Sequence, residues 1–268
     1  MLPSDAAMEI LDTAIGRLGV ERQGAGGTPL LFLHGVGSDS SAWRRQVDRF
    51  GAERLAMALD FPGYGGSDLI PQATRQTFAK AALAVLDTLG AERAHVCGLS
   101  LGGVIAIAMH ALAPGRIASL ILADTFACHP EGSAILDRSL AGVRELGMRG
   151  LAESRADALL AQPADPAVRT EVIETMARID PGAYALAAHA VWLADQRREA
   201  AAISCPTLVL CGSSDRITPP ALSEELKQII LGAGLVEIAG AGHLPNLEQP
   251  ATFDRVVAAF LSEADEKA

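Results

Sequence analysis

The chain has 268 residues, half of them hydrophobic and a fifth charged, with a formal net charge of −10. This is a globular composition, and the length suits one sizeable core with an embellishment. An acidic chain without a basic run argues against a nucleic-acid partner or an anionic membrane surface, and no uncharged apolar run is long enough to span a bilayer. The four cysteines, Cys97, Cys128, Cys205 and Cys211, lack metal-ligand spacing and read as reduced, mostly buried thiols. Residues 1–11 carry acidic side chains and no apolar signal core, so the expected location is the cytoplasm.

In chain order, residues 8–23 alternate loosely about Gly16, which predicts two short antiparallel strands. Residues 29–33 form a continuous apolar run, the pattern of a strand buried on both faces, and stop at His34-Gly35-Val36-Gly37. Ser38 to Ser41 offer N-caps for a helix over 42–50, with Trp43 and Val47 on one face. A second buried strand, 55–59, runs into Asp60-Phe61-Pro62-Gly63-Tyr64-Gly65-Gly66-Ser67-Asp68, a loop shaped by proline and glycine. Helical periodicity over 77–89 stops at Gly90, and a strand over 94–99 leads through Gly98-Leu99-Ser100-Leu101-Gly102-Gly103 into a helix over 101–113. Another strand, 117–123, ends at Asp124.

From Thr125 to about Ala202 the pattern changes. Runs of β-branched residues disappear, and helices are predicted over 133–146, 149–161, 166–179 and 181–200. Strand–helix alternation then resumes: strand 206–211, Gly212-Ser213-Ser214-Asp215, helix 219–230, strand 235–238, Gly242-His243 and a closing helix over 250–263. The sum is an α/β fold, a mostly parallel twisted sheet with helices on both faces. Residues 1–125 and 203–268 form its core domain, and 126–202 form an inserted helical cap.

In such a sheet, chemistry collects beyond the carboxyl ends of the strands. There the chain places His34 and Gly35, then Ser100, Asp124, Asp215 and His243. Gly98 and Gly102 flank Ser100 at minus two and plus two, as a nucleophile on a tight strand-to-helix turn requires. A serine hydroxyl is a poor nucleophile at neutral pH; an imidazole can take its proton, and a carboxylate can fix the imidazole tautomer. Both Asp124 and Asp215 are placed to be that carboxylate.

Five segments, in this order and each at a strand end, resemble the α/β-hydrolase superfamily over nearly the whole chain: His34 to Gly37, Asp60 to Ser67, Gly98 to Gly102, Gly212 to Asp215, and Gly242-His243. Within it the chain is most similar to the 3-oxoadipate enol-lactonase and small carboxylesterase group, through Asp180-Pro181-Gly182-Ala183-Tyr184, Thr218-Pro219-Pro220 and the run from Ala241 to Pro250. The resemblance implies Ser100 as nucleophile, His243 as base and Asp215, in preference to Asp124, as acid. It also implies an oxyanion hole from the N–H groups of Leu101 and Val36. His34 is expected to brace the oxyanion loop and to border the substrate pocket with Trp192 and Phe126. His95 and His110 are expected to be packing residues.

The implied reaction is hydrolysis of a small ester or lactone through an acyl-enzyme, such as 3-oxoadipate enol-lactone. The alternatives are a carbon–carbon bond hydrolase of ring-cleavage products and, in another class, a non-catalytic receptor on the same fold. No cofactor or metal is expected, since there is no dinucleotide fingerprint in context, no P-loop and no ligand cluster. The expected partner is the small-molecule substrate alone; monomer and homodimer are both compatible with the sequence. One or two of the arginines between 126 and 202 would, if turned inward, suit a substrate carboxylate.

Overall fold

The computed structural model describes residues 7–71 and 73–266; the first six residues of the acidic N-terminal stretch lie outside them. β1 (Ala7–Thr13) and β2 (Gly16–Gln23) form the expected hairpin, and β2 pairs antiparallel with β4 (Ala56–Leu59). Every other pair is parallel: β4 with β3 (Leu30–Leu33), β3 with β5 (Ala94–Leu99), then β6 (Ile117–Ala123), β7 (Thr207–Gly212) and β8 (Gly234–Ile238). The order across the sheet is β1-β2-β4-β3-β5-β6-β7-β8. β3 to β7 are buried along their whole length, which is why they read as unbroken apolar runs.

Alternate residues of these strands feed two layers. Leu30 and Phe32 point to the side packed by α1 (Arg44–Gly51) and α10 (Pro250–Glu266), where Phe32 stacks on Trp43 at 4.9 Å and Trp43 meets Phe253 at 5.8 Å. Leu31 and Leu33 point to the side packed by α2 (Arg75–Thr88), α3 (Leu101–Leu112) and α8 (Pro220–Ile229). The register then aligns the strand ends. Leu33 pairs with Gly98, Leu99 with Ala123, Ala123 with Leu210, and Gly212 with Ile238. Ser100 and Asp124 therefore leave the sheet at the same level on neighbouring strands.

Between β6 and β7 the chain forms α4 (Gly132–Leu159), α5 (Pro166–Ala177), α6 (Pro181–Trp192) and α7 (Arg197–Ala201). α4 is two helices joined at Gly147, whose φ of 65° and ψ of 176° are non-helical, so the expected break is present. Asp165 and Asp180 cap α5 and α6, each followed by a proline at the first helical position. The single helix expected over 181–200 is a correction: it stops after Trp192. The intervening residues turn to pair with the exit of β6, through a Cys128–Asp195 bridge and a Gln196 N–H to Ala127 O bond of 2.8 Å. That pairing satisfies backbone groups a continued helix would leave to others. A further short helix, α9 (Pro245–Glu248), follows the last strand. No helix among the described residues is long and apolar enough to cross a membrane.

At the opposite end of the sheet, His95 Nδ1 lies 2.8 Å from Ser119 Oγ and Nε2 lies 3.0 Å from Asp265 Oδ1, which ties the end of α10 to β5 and β6. Burial lowers the His95 pKa against the pull of Asp265, so the folded chain resists protonating this ring. The resulting stability is complete above the ordinary value near 6.5 and is lost as pH falls below it, where the unfolded chain takes up the proton. A His95→Gln variant is expected to melt lower than the parent at pH 7 but to lose less further stability between pH 7 and 5. Parallel curves in thermal melts across that window would contradict this account.

Candidate active site

Ser100 follows β5 directly and starts α3 with φ 54° and ψ −113°. Among the described residues, it and Asp124 (φ 45°) are the non-glycine residues in the left-handed region. Such strain persists only where the surroundings impose it. Here they do: Ser100 N–H is held by Ala123 O at 2.9 Å, and its carbonyl accepts the Thr125 hydroxyl at 2.8 Å. A Cβ on Gly98 would fall 2.2 Å from Gly102 O, and one on Gly102 would fall 2.1 Å from Leu33 O. The turn closes only because both are glycine.

β7 and β8 deliver Asp215 and His243. Asp215 Oδ2 accepts from His243 Nδ1 at 2.8 Å and from the Thr218 hydroxyl at 2.6 Å; Oδ1 accepts the N–H groups of Ile217 and Thr218 at 2.7 and 3.1 Å. Burial alone would raise its pKa, but the His243 ring and these donors hold the carboxyl below its ordinary range, ionised. An ionised Asp215 fixes the proton of His243 on Nδ1, leaving Nε2 as the basic nitrogen. Asp124 is turned to the Gly212 N–H at 2.8 Å, and it is Asp215 that holds His243.

The loop carrying His243 has a brace that the sequence reading did not assign. Glu248 accepts the N–H groups of Gly242 at 2.9 Å, Leu244 at 3.2 Å and Ala161 at 2.7 Å, while His243 N–H reaches Leu159 O at 2.8 Å. The available signal was a lone acid in a proline-started turn just after the histidine.

On the other side of Ser100, His34 Nε2 accepts the Phe61 N–H at 3.0 Å, so its proton sits on Nδ1 and is donated to Gly35 O at 2.8 Å. Burial keeps this ring neutral by lowering its pKa. Gly35 O and the Val36 N–H belong to one peptide plane, so His34 sets the direction of that N–H. Tyr64 adds a hydroxyl bond to Val36 O at 3.0 Å. Among the described residues, no backbone hydrogen bond engages the N–H of Val36 or of Leu101.

A cavity of about 40 Å³ lies over Ser100, walled by Val36, Leu159, Trp192, Ile217, His243 and their neighbours. Trp192 borders it. His34 and Phe126 do not, and this corrects the sequence reading: His34 is fully buried, turned toward Phe61, and Phe126 stacks against Trp192 at 5.8 Å. A second, larger chamber of about 740 Å³ opens between the first half of α4 and the residues following Asp215, and shares Arg155 and Ile217 with the small cavity. Arg155 donates to Ser139 Oγ and Tyr184 OH, both at 3.0 Å, partners that carry no charge. Several other arginines of this helical segment are paired with acids, including Arg178, which bridges to Asp39 at 2.7 Å.

This fold is that of an α/β hydrolase, and residues 30–256 match the model of the alpha/beta hydrolase family. The chain belongs to that family. It is 30% identical over 248 residues to 3-oxoadipate enol-lactonase 1 of Acinetobacter baylyi, covering 91% of this chain and 92% of the relative. Among solved structures it is similar to a thermophilic esterase from Thermogutta terrifontis, with a TM-score of 0.88, 30% identity, and coverage of 97% of this chain and 100% of the other. It is also similar to the enol-lactonase from Burkholderia xenovorans LB400, with a TM-score of 0.87, 29% identity, and coverage of 95% and 100%.

Proposed function

We propose that the protein is a serine hydrolase of small carboxylic esters or lactones, with residues 126–202 acting as its cap. The observation that carries this reading is that Ser100, on its strained turn, and His243, bound to Asp215, line the same small cavity. Ser100 Oγ attacks the carbonyl carbon as His243 Nε2 takes its proton, and Asp215 stabilises the imidazolium. The N–H groups of Val36 and Leu101 receive the oxyanion; loss of one such donor typically costs about 3 kcal/mol of transition-state stabilisation. Collapse expels the alkoxide, protonated by His243, and leaves an acyl-enzyme. Water, deprotonated by the same nitrogen, then releases the acid and restores Ser100. In a lactone the alkoxide stays attached to the acyl chain, so the ring opens.

The small cavity admits little beyond the reacting carbonyl, so the rest of the substrate extends past Arg155 into the larger chamber. An arginine held by neutral hydroxyls favours a substrate with a carboxylate. An enol-lactone of the 3-oxoadipate type fits that description, and the likeness to two enol-lactonases supports it. The test is a panel of the enol-lactone, neutral aryl esters and ring-cleavage dienones compared by kcat/KM, with phosphonate labelling of the serine. The enol-lactone is expected to lead the panel, and Arg155→Met to lower its kcat/KM by roughly 10- to 100-fold while sparing nitrophenyl acetate. Equal loss on both substrates would remove Arg155 from carboxylate recognition.

A further inference from the structure

Two carboxyl groups, not one, lie close to the imidazole. One ligand atom from each of Asp124, Asp215 and His243 lies within 4.8 Å of the others, and all three residues are buried. Asp215 takes four donors, including the ring itself. Asp124 takes one: Oδ1 accepts the Gly212 N–H, while Oδ2 is buried and, among the described residues, without a hydrogen-bond partner. Asp124 is also held at a φ of 45°, a conformation shared only with Ser100 among the non-glycine described residues. A packing role would not need a buried acid at a strained backbone position beside the Asp215–His243 pair; an apolar residue or asparagine would cost less.

The geometry points to Asp124 as a second acid of the site, a positioning residue that stays uncharged while Asp215 is ionised and replaces Asp215 as the imidazole's partner when Asp215 is neutralised. This rests on the hydrolase reading given above. Two carboxylates this close and this buried do not both ionise; the one with more donors keeps the charge and the other keeps a proton. Burial and the Asp215 charge together raise Asp124 well above the usual carboxylate range, in agreement with that division. With Asp215 changed to asparagine, the repulsion is gone, and burial, the larger of the two causes, still favours the proton on Asp124. As pH rises, Asp124 releases that proton to solvent and its carboxylate accepts from His243 Nδ1. No other bond is made or broken.

The test compares Asp124→Asn, Asp215→Asn and the double variant by ester turnover across pH 5–9, alongside the parent and Ser100→Ala. Asparagine tolerates the left-handed region, so Asp124→Asn keeps the turn. Asp124→Asn is expected within about fivefold of the parent, with an unshifted acid limb in its pH profile. Asp215→Asn is expected to fall by roughly a thousandfold yet to remain at least tenfold above the double variant, with its residual rate rising toward high pH. A purely structural Asp124 would give the single and double variants the same rate and profile, and that result overturns the proposal. So does an Asp124→Asn variant as impaired as Asp215→Asn, which would make Asp124 the principal acid. A second readout is independent of turnover: the low-field proton resonance of His243 Nδ1–H should persist in Asp215→Asn and vanish in the double variant. If Ser100→Ala retained parental turnover, the hydrolase reading itself would fail, an outcome separable from either of these.

Discussion

Replacing Ser100 with alanine will lower kcat on a nitrophenyl ester by about 10⁵- to 10⁶-fold, the scale on which removal of a triad nucleophile acts. The fold should not notice. Ser100 Oγ supports no hydrogen bond among the described residues; the backbone bonds to Ala123 and Thr125 hold the turn and survive the change. Serine and alanine are equally strained at a φ of 54°, so the variant neither relieves nor adds backbone energy. Circular dichroism and the thermal midpoint should match the parent, and a phosphonate should no longer label the peptide containing residue 100. His243→Ala should be as severe, and the double variant no worse than either, because nucleophile and base act as one unit. Turnover surviving in both single variants would mean that the reaction does not pass through this serine.

The second large effect belongs to the turn itself. Gly102→Ala puts a Cβ 2.1 Å from Leu33 O and 2.6 Å from Leu33 C, both backbone atoms of β3 in the middle of the sheet. Neither can withdraw without breaking the β3 ladders to β4 and β5, so α3 must shift instead. The cost expected is about 3 kcal/mol, at the upper end for overpacking, and a midpoint lowered by roughly 10 °C. The shift carries the Leu101 N–H with it, so kcat/KM should fall by at least about a hundredfold, the price of a lost oxyanion donor. Gly115→Ala is the control: its Cβ would meet nothing within 4 Å, and both measurements should stay at the parental values. If Gly102→Ala behaved like Gly115→Ala, the close approach of α3 to β3 would not be setting the serine.

Much of this was legible in the sequence because a strand buried on both faces leaves an unbroken apolar run with a sharp end. Ser100, Asp124 and Asp215 each stand beyond such an end, while His243 follows the short, half-exposed edge strand β8 and was legible only through its Gly-His turn. What a linear pattern does not carry is direction. Whether a side chain at a strand end turns toward the cavity or behind it depends on the turn, and so His34 and Phe126 were expected in a pocket wall that they back. Arg155 looks like any other arginine on an amphipathic helix until α4 packs against α6 and leaves it facing Tyr184. The break between α6 and α7 depends on pairing with Ala127 and Cys128, more than sixty residues away in the chain, which no local propensity records. The choice between Asp124 and Asp215 is of the same kind, since it turns on which carboxyl the Thr218 turn and the His243 ring reach.

The cluster beneath the sheet gives the site above it a natural reference. Ser119, His95 and Asp265 present a hydroxyl, an imidazole and a carboxylate joined by bonds of 2.8 and 3.0 Å, the same three groups with the ring reversed: Nδ1 meets the hydroxyl and Nε2 the carboxylate, where His243 gives Nδ1 to Asp215. Yet Ser119 is sealed within β6, in relaxed strand geometry, with its hydroxyl turned to a ring whose other nitrogen clasps the last helix. One molecule thus holds the trio twice, once as a fastener and once beside an opening. A serine-directed reagent applied to the intact protein compares the two in a single experiment. Modification confined to residue 100 would mean that the trio of groups is not sufficient by itself, and that the kinked turn and the void it faces are needed to make a serine reactive.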